Sequence, residues 1–357
     1  MDKQKRDIQK QDIILTIIAL ALCALLMFLG ENFLSRLQLR ILNLAAIYVI
    51  LGISLNLVIG FTGMFSLGHA GFMCVGAYTA AILSMPPATK ELVYYMVPIN
   101  PALANIQWGI IPAALAGGVV AAIFGFLVGF PALRLRDDYL AIATLGFAEI
   151  IRIVVTNTTS ITNGSLGLKD IPSVKSIWVY WGFAILTILI LKAIVKSSWG
   201  YAFKAIRDDE IAAEAMGINL LKHKLLSFTI GAFFAGVAGA LMAYLITSID
   251  PTMFRFTFTF QILLIVVLGG MGSLTGSVVA GVLVAVGMEW LRFVEQDMNI
   301  FGYVIHGISG MRMVIFSVLL LLIVLFYRQG LLGTKELSWD SLRKLTSRRS
   351  KQKEVSE

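Results

Sequence analysis

Two very long uncharged stretches limit what this chain can fold into. No Asp, Glu, Lys or Arg occurs from Ile41 to Thr89 or from Leu92 to Leu133, which are runs of 49 and 42 residues. A helix that crosses a bilayer needs about 20 apolar residues, so each run can hold two crossings. Hydrophobic residues make up 58% of the 357 residues and charged residues 14%. The sequence therefore predicts an all-α polytopic membrane protein.

Span length, helix-breaking residues and the distribution of positive charge together predict about ten crossings. With the N-terminus inside, the inner segments hold 20 of the 29 Lys and Arg residues and the outer segments hold 9, as the positive-inside rule requires. This distribution also accounts for the net charge of +8 without a nucleic-acid partner. The expected spans are 13–30, 40–60, 70–85, 108–130, 138–155, 177–195, 225–247, 258–271, 275–294 and 310–327.

Three regions are expected along the chain. A basic cytoplasmic N-terminus at 1–12 precedes a transmembrane domain at 13–333, and a basic cytoplasmic tail at 334–357 follows it. Lysine and arginine residues beside a membrane are attracted to anionic lipid, which predicts that the tail lies on the inner leaflet.

Two glycine-rich segments, 60–71 and 269–276, interrupt apolar runs. Irregular backbone is tolerated in a membrane only where protein or a water-filled cavity covers it. We therefore expect broken helices or re-entrant turns that face a shared cavity, although close helix packing would explain each glycine singly. The candidate residues of a translocation pathway are Thr62, Gly63, Ser66, His69, Gly269, Gly270, Gly272 and Ser273.

The motifs of an enzyme are absent from the sequence. There is no Gly-x4-Gly-Lys-Ser/Thr nucleotide loop, no His-Glu-x-x-His and no Gly-x-Ser-x-Gly, and Cys23 and Cys74 lack metal-binding spacing. Two acid and base pairs, at 149 with 152 and at 289 with 292, are spaced to form ion pairs near span ends. The sequence thus predicts a transport protein without a catalytic residue, metal or cofactor of its own.

The polar loop at 198–224 contains a predicted short helix. Acidic residues 208–210 favour a helix start, and Gly217 favours its end, which gives about two and a half turns. Small alanines beside Ile211 and Met216 suit a helix that docks in a partner's groove, whereas a solvated connector is the alternative. The candidate coupling residues are Asp208, Glu210, Ala212, Ala213, Glu214 and Gly217.

At this point the chain resembles the permease subunits of branched-chain amino acid ABC importers, of the LivM type. Five segments carry the resemblance and follow the family's order between residues 60 and 333. In one respect the chain departs from the broader importer pattern of Glu-Ala-Ala, three residues and Gly, because Glu210 lies one place early relative to Gly217. The segments are Gly60–Phe72, Gly129–Phe147, Ser198–Asn219, Val267–Gly276 and Tyr327–Gly333.

The resemblance implies a set of partners. They are a second, homologous permease subunit, two ATP-binding subunits that use ATP, and an external binding protein that delivers leucine, isoleucine or valine. It also implies a bacterial cytoplasmic membrane, with both termini of the chain inside. A permease for urea or short amides is similar over the same segments and remains an alternative. A stand-alone secondary carrier would need carboxylates near the bilayer centre, and few ionisable residues fall there.

Overall fold

The computed structural model describes residues 27–28, 30–31, 33–135, 137–295, 298–300, 303–305, 310–326, 330–333 and 336. The chain divides into two compact units, residues 40–334 and a second unit made of 1–39 and 335–357. Three predicted segments lie largely outside the described residues: the basic N-terminus at 1–12, most of the span at 13–30, and the tail at 334–357 except Glu336.

Long apolar helices and three short ones make up most of the first half of the described chain. In apolar surroundings each backbone N–H and C=O group has to find its partner within the protein, and a helix provides one. The helices are α1 (Arg36–Asn56), which continues as a π-helical turn at Leu57–Phe61, α2 (His69–Ser84), α3 (Pro87–Val93), α4 (Pro101–Ala104), α5 (Ile110–Ala132), α6 (Asp137–Asn157), α7 (Thr159–Thr162) and α8 (Ile177–Lys196).

The second half contains two short polar helices, further apolar helices and a hairpin that the sequence did not predict. The hairpin joins β1 (Met298–Ile300) to β2 (Tyr303–Ile305), which pair in antiparallel orientation. Short 3-10 helices lie at Gly164–Leu166, Pro251–Phe254 and Leu291–Glu295. The α-helices are α9 (Ser198–Asp208), α10 (Glu210–Ala215), α11 (Leu220–Ile246), α12 (Phe256–Gly269), α13 (Leu274–Trp290) and α14 (Met311–Phe326).

The helical fold class is confirmed, but the count of ten crossings is not. Among the described residues, five helices are long and apolar enough to cross a bilayer, or six if α2 and α3, which bend by 120°, form one span. The predicted spans 258–271 and 275–294 correspond to helices of only 14 and 17 residues. The first ends early because Gly270 has φ of 109°, outside the helical region, and the second gives way to a 3-10 helix at Leu291.

Helices α1 and α11 form the centre of the bundle, and α5, α6 and α8 lie around it. Within an apolar stretch of 18 residues, 94% of the residues are buried in α1 with its π-helical turn, whereas 28% are buried in α8. Glycines allow α2, α5 and α11 to approach closely. A Cβ atom on Gly76 would lie 2.1 Å from the carbonyl oxygen of Gly236, and one on Gly117 would lie 2.6 Å from that of Gly76. The absence of a side chain at these glycines therefore permits close helix packing.

The loops at the far end of α2 are held together by side chains that bind backbone carbonyl groups. The buried Lys90 ammonium donates to the carbonyl oxygens of Leu103 and Ile106, at 2.8 and 2.6 Å. A backbone bridge between Leu168 and Ile249 ties two further loops to each other. This end of the bundle is therefore ordered, and α2 separates it from the two glycine-rich segments.

Candidate functional site

The two glycine-rich segments are real helix breaks, and they contact each other. The first break, residues 62–68, separates α1 with its π-helical turn from α2, and the second, residues 270–273, separates α12 from α13. A Cβ atom on Gly60 would lie 2.3 Å from the backbone nitrogen of Gly272, so the backbones of the two segments are in contact at this point. Segments more than 200 residues apart in sequence thus share one location in the bundle.

Asn56 holds the breaks together. Its fully buried side-chain oxygen accepts a hydrogen bond from the backbone nitrogen of Gly272 at 2.9 Å. Its side-chain nitrogen donates to the carbonyl oxygen of Ser273 at 2.9 Å and to the hydroxyl of Ser277 at 2.7 Å. The amide therefore provides a partner for the backbone nitrogen of Gly272, and it adds a second donor to the carbonyl of Ser273, which also accepts from the backbone nitrogen of Ser277.

The first break is stabilised by hydroxyl groups. The hydroxyl of Thr62 donates to the carbonyl oxygen of Leu57 at 2.9 Å and lies 2.7 Å from the hydroxyl of Ser227 on α11. Farther along the break, the hydroxyl of Thr144 accepts from the backbone nitrogen of Leu67 at 3.0 Å. These bonds fix the irregular backbone against α11 and α6.

His69 begins α2 and lies inside the bundle. Its Nε2 atom is 2.8 Å from the hydroxyl of Ser54 on α1, and 3% of the residue is exposed. One residue later, the backbone nitrogen of Ala70 donates to the hydroxyl of Thr259 on α12 at 3.3 Å. The histidine thus takes part in packing between α1 and α2.

Most of the predicted pathway residues face the chain's own interior. Seven of the eight are buried, and Gly63 is the one with an exposed surface. The exposed fractions of Thr62, Ser66 and Ser273 are 1%, 2% and 0%. In the two breaks, the side chains with large exposed surfaces are those of Phe65, 43% exposed, and Met271, 48% exposed.

The predicted helix in the polar loop is present as α10, and it is shorter than expected. Asp209 caps it, because its side-chain oxygen accepts from the backbone nitrogens of Ile211 and Ala212 at 2.9 and 3.0 Å. The capping residue has an extended backbone, with φ of −161° and ψ of 112°, which separates α9 from α10. The acidic cluster therefore starts the helix as predicted, but its first member, Asp208, ends α9.

Gly217 ends α10 as the sequence predicts. Its backbone nitrogen donates to the carbonyl oxygen of Glu214 at 2.9 Å, and the nitrogen of Ile218 donates to that of Ala213 at 3.1 Å. With φ of 85° at the glycine, these two bonds form a Schellman motif. The helix is thus limited to six residues by a cap at each end.

One face of α10 protrudes from the chain. Ile211 and Met216 are 82% and 83% exposed. Ala213 is 4% exposed and faces the chain's own interior, so it does not belong to this face. Glu210, the first residue of α10, forms an ion pair with Lys224 on α11. We call the exposed residues Ile211, Ala212, Glu214, Ala215 and Met216 the protruding face.

Both ion pairs that the i, i+3 spacing predicted are present. Arg152 pairs with Glu149, and Arg292 pairs with Glu289, in the spacing that predicted them. Within the described part of the chain, no group of three or more His, Cys, Asp or Glu side chains could hold a metal ion. Sequence reasoning missed Asn56, although a polar amide within an uncharged span was a usable signal.

Comparison with known proteins covers both breaks and the polar loop. A family model described as "Branched-chain amino acid transport system / permease component" matches residues 37–327. The chain is 37% identical to the high-affinity branched-chain amino acid transport system permease protein LivM of Escherichia coli over 303 residues, 75% of this chain and 67% of that protein.

Two other relatives differ in length and similarity. The chain is 27% identical over 333 residues to a probable branched-chain amino acid transport permease protein LivM of Methanocaldococcus jannaschii, 84% of this chain and 94% of that protein. It is 25% identical over 281 residues to the permease protein LivH of Escherichia coli, 72% of this chain and 86% of that protein.

Proposed function

Because the chain belongs to the family of permease components of branched-chain amino acid transport systems, we propose that it is one half of the membrane domain of an ATP-driven importer. The chain is a multi-pass membrane protein, a permease subunit of a transport system for branched-chain amino acids. Its proposed partners are a second, related permease, two ATP-binding subunits and an external binding protein. Similarity to both a LivM and a LivH permease supports a pair of related permeases.

The observation that carries this proposal is the protruding face of α10. Removing apolar surface from water is favourable. Two large apolar side chains held in water by a helix with a cap at each end therefore favour a partner that covers them. Ile211 lies in the first turn of α10, and Met216 follows its last residue, Ala215. We propose that this face docks in a groove of an ATP-binding subunit. In this proposal the ATP site belongs to that subunit and not to the permease.

We place this docking face in the cytoplasm of a bacterial cell, with both termini of the chain on the same side. The loop that carries α10 lies in the inner segments that are richest in Lys and Arg, as the positive-inside rule favours. The membrane is then the cytoplasmic membrane. Anionic lipid on its inner leaflet attracts the basic tail that follows residue 334.

We propose that the amino acid passes beside the two breaks, at the interface with the second permease. A site for leucine, isoleucine or valine needs apolar walls and a few polar groups for the charged end of the substrate. Phe65 and Met271 provide exposed apolar surface there, and Gly63 exposes backbone. Three polar residues stabilise the breaks and do not line the passage, because their side chains are buried within the chain: Thr62, Ser66 and Ser273.

The test replaces an apolar side chain of the protruding face by a charge. Ile211→Asp and Met216→Asp are each expected to reduce co-purification of the ATP-binding subunits with the permease at least ten-fold, and to abolish ATP-driven leucine uptake. Leu92→Asp is the matched control, since Leu92 is 77% exposed but lies on α3, beyond the far end of α2. Full co-purification of both α10 variants would contradict the docking role.

A further inference from the structure

Arg207 connects the last turn of α9 to the first break. Its Nη1 atom donates to the carbonyl oxygen of Gly60 at 3.1 Å. The rest of the guanidinium is oriented by Asp208, whose carboxylate accepts from Nε at 3.0 Å and from Nη2 at 2.8 Å. The charged group is thus directed at one carbonyl of the π-helical turn that ends α1.

That carbonyl needs a partner from outside the helix. The last carbonyl groups of a helix have no intrahelical donor, and a positive charge at this end is favourable to the helix dipole. Gly60 lies within the π-helical turn Leu57–Phe61, after which the helix breaks. Arg207 therefore satisfies the backbone at the point where α1 becomes irregular.

Both breaks are shaped to admit Arg207. A Cβ atom on Gly63 would lie 3.1 Å from the Cα and Cγ atoms of Arg207, and one on Gly272 would lie 2.9 Å from its Nη1 atom. A larger residue at either glycine would displace the arginine. The first break, the second break and the end of α9 consequently meet around one side chain.

Arg207 is also close to the docking face along the chain. Asp209 alone separates α9 from α10, and α9 is anchored in the protein by Phe203 and Ile206, which are 0% and 1% exposed. A displacement of α10 by a partner therefore acts on the last turn of α9 through Asp209, and it acts on α11 through the ion pair of Glu210 with Lys224. Arg207 lies in that turn and is close to Gly63 of the first break and to Gly272 of the second.

We propose that Arg207 is a positioning residue that transmits movement of α10 to the two broken helices. The movement reaches the first break through the carbonyl of Gly60. It reaches the second through Asn56, which binds the backbone of Gly272. This inference rests on the proposed function, because it requires a partner that moves α10.

The test compares transport with ATP hydrolysis in the complete importer, reconstituted in proteoliposomes with its second permease, ATP-binding subunits and binding protein. Arg207→Gln is expected to leave co-purification unchanged and ATP hydrolysis within about two-fold, while leucine uptake falls at least ten-fold. Arg207→Lys retains the charge and one donor group and is expected to restore part of the uptake. The signature is a fall in leucine molecules imported per ATP hydrolysed.

Lys204→Gln is the matched control, because Lys204 is also a cation on α9, one turn earlier than Arg207. Its Nζ atom lies 5.8 Å from the centre of the Phe61 ring. This substitution should change the ratio less than two-fold. An unchanged ratio in Arg207→Gln would overturn the proposal, and so would loss of co-purification in both arginine variants, since the residue would then serve assembly. Failure of the unsubstituted complex to import leucine would instead contradict the proposed function.

Discussion

Replacing Asn56 by leucine is expected to weaken the contact between the two breaks and to lower the free energy of unfolding. Leucine has the same branched arrangement of heavy atoms as asparagine but a larger volume, so the substitution removes hydrogen bonds without leaving a cavity. It would leave the backbone nitrogen of Gly272 without the partner it has now, whereas the carbonyl oxygen of Ser273 would lose one donor and keep the backbone nitrogen of Ser277. These groups are buried, which makes the loss of a partner costly.

The size of the effect follows from three hydrogen bonds of 2.7 to 2.9 Å. Hydrogen bonds between membrane helices contribute about 0.6 kcal/mol each on average, which gives a lower value of about 2 kcal/mol. Buried groups that find no new partner cost about 1–3 kcal/mol each, which raises the expected loss to about 4 kcal/mol. We therefore expect a loss of about 2–4 kcal/mol.

A matched control lies on the same helix. Asn43 is 2% exposed, and its side-chain oxygen has no hydrogen-bond partner among the described residues. Asn43→Leu thus removes a buried polar group that is not satisfied, and it is expected to be neutral or to stabilise the protein by about 1 kcal/mol.

The assay is unfolding in dodecyl maltoside micelles with an increasing fraction of sodium dodecyl sulfate. A fluorogenic maleimide reports unfolding by reaction with Cys74, which is buried, in a Cys23→Ser background. The midpoint should shift to a lower detergent fraction in Asn56→Leu and not in Asn43→Leu. Equal midpoints for the two variants would refute the view that Asn56 holds the breaks together.

Three other substitutions or tags test the packing, the passage and the topology. Gly76→Val should lower the free energy of unfolding by at least about 3 kcal/mol, because the new side chain would meet the backbone of α11, whereas Gly182→Val, with no atom within 4 Å, should change it by less than about 1 kcal/mol in the same detergent titration. A cysteine at Phe65 should react with a water-soluble maleimide and one at Ser66 should not; the opposite order would contradict the proposed passage. A reporter fused after Ser350 should be active only in the cytoplasm, and an externally labelled tail would overturn the predicted orientation.

Local sequence patterns were sufficient for the helices and for the ends of α10. The uncharged runs predicted helices at 40–60, 70–85 and 108–130, and helices occupy these positions. Gly217 predicted the end of α10 because only neighbouring backbone groups take part in a Schellman motif. Where the determining contacts lie within a few residues, the sequence was informative.

Contacts between distant segments were not predictable from spacing. Asn56 and Gly272 are 216 residues apart, and neither neighbourhood indicates the other. Packing of α10 against the rest of the chain turns Ala213 inward, although the small alanines beside Ile211 and Met216 predicted that it belongs to the docking surface. Thr62 is turned inward by its contact with Ser227 on α11, and Ser66 is also buried, so polarity alone did not identify the exposed residues of the breaks.

The most direct test of an ATP-driven permease is uptake of labelled leucine by the reconstituted importer. Proteoliposomes would hold this chain, the related permease and the ATP-binding subunits, with ATP on the side of those subunits and the binding protein on the other side. We predict leucine import that requires ATP and the binding protein and that valine and isoleucine inhibit, while urea and acetamide do not. Import of leucine without ATP under a proton gradient, or import of urea in its place, would contradict this account.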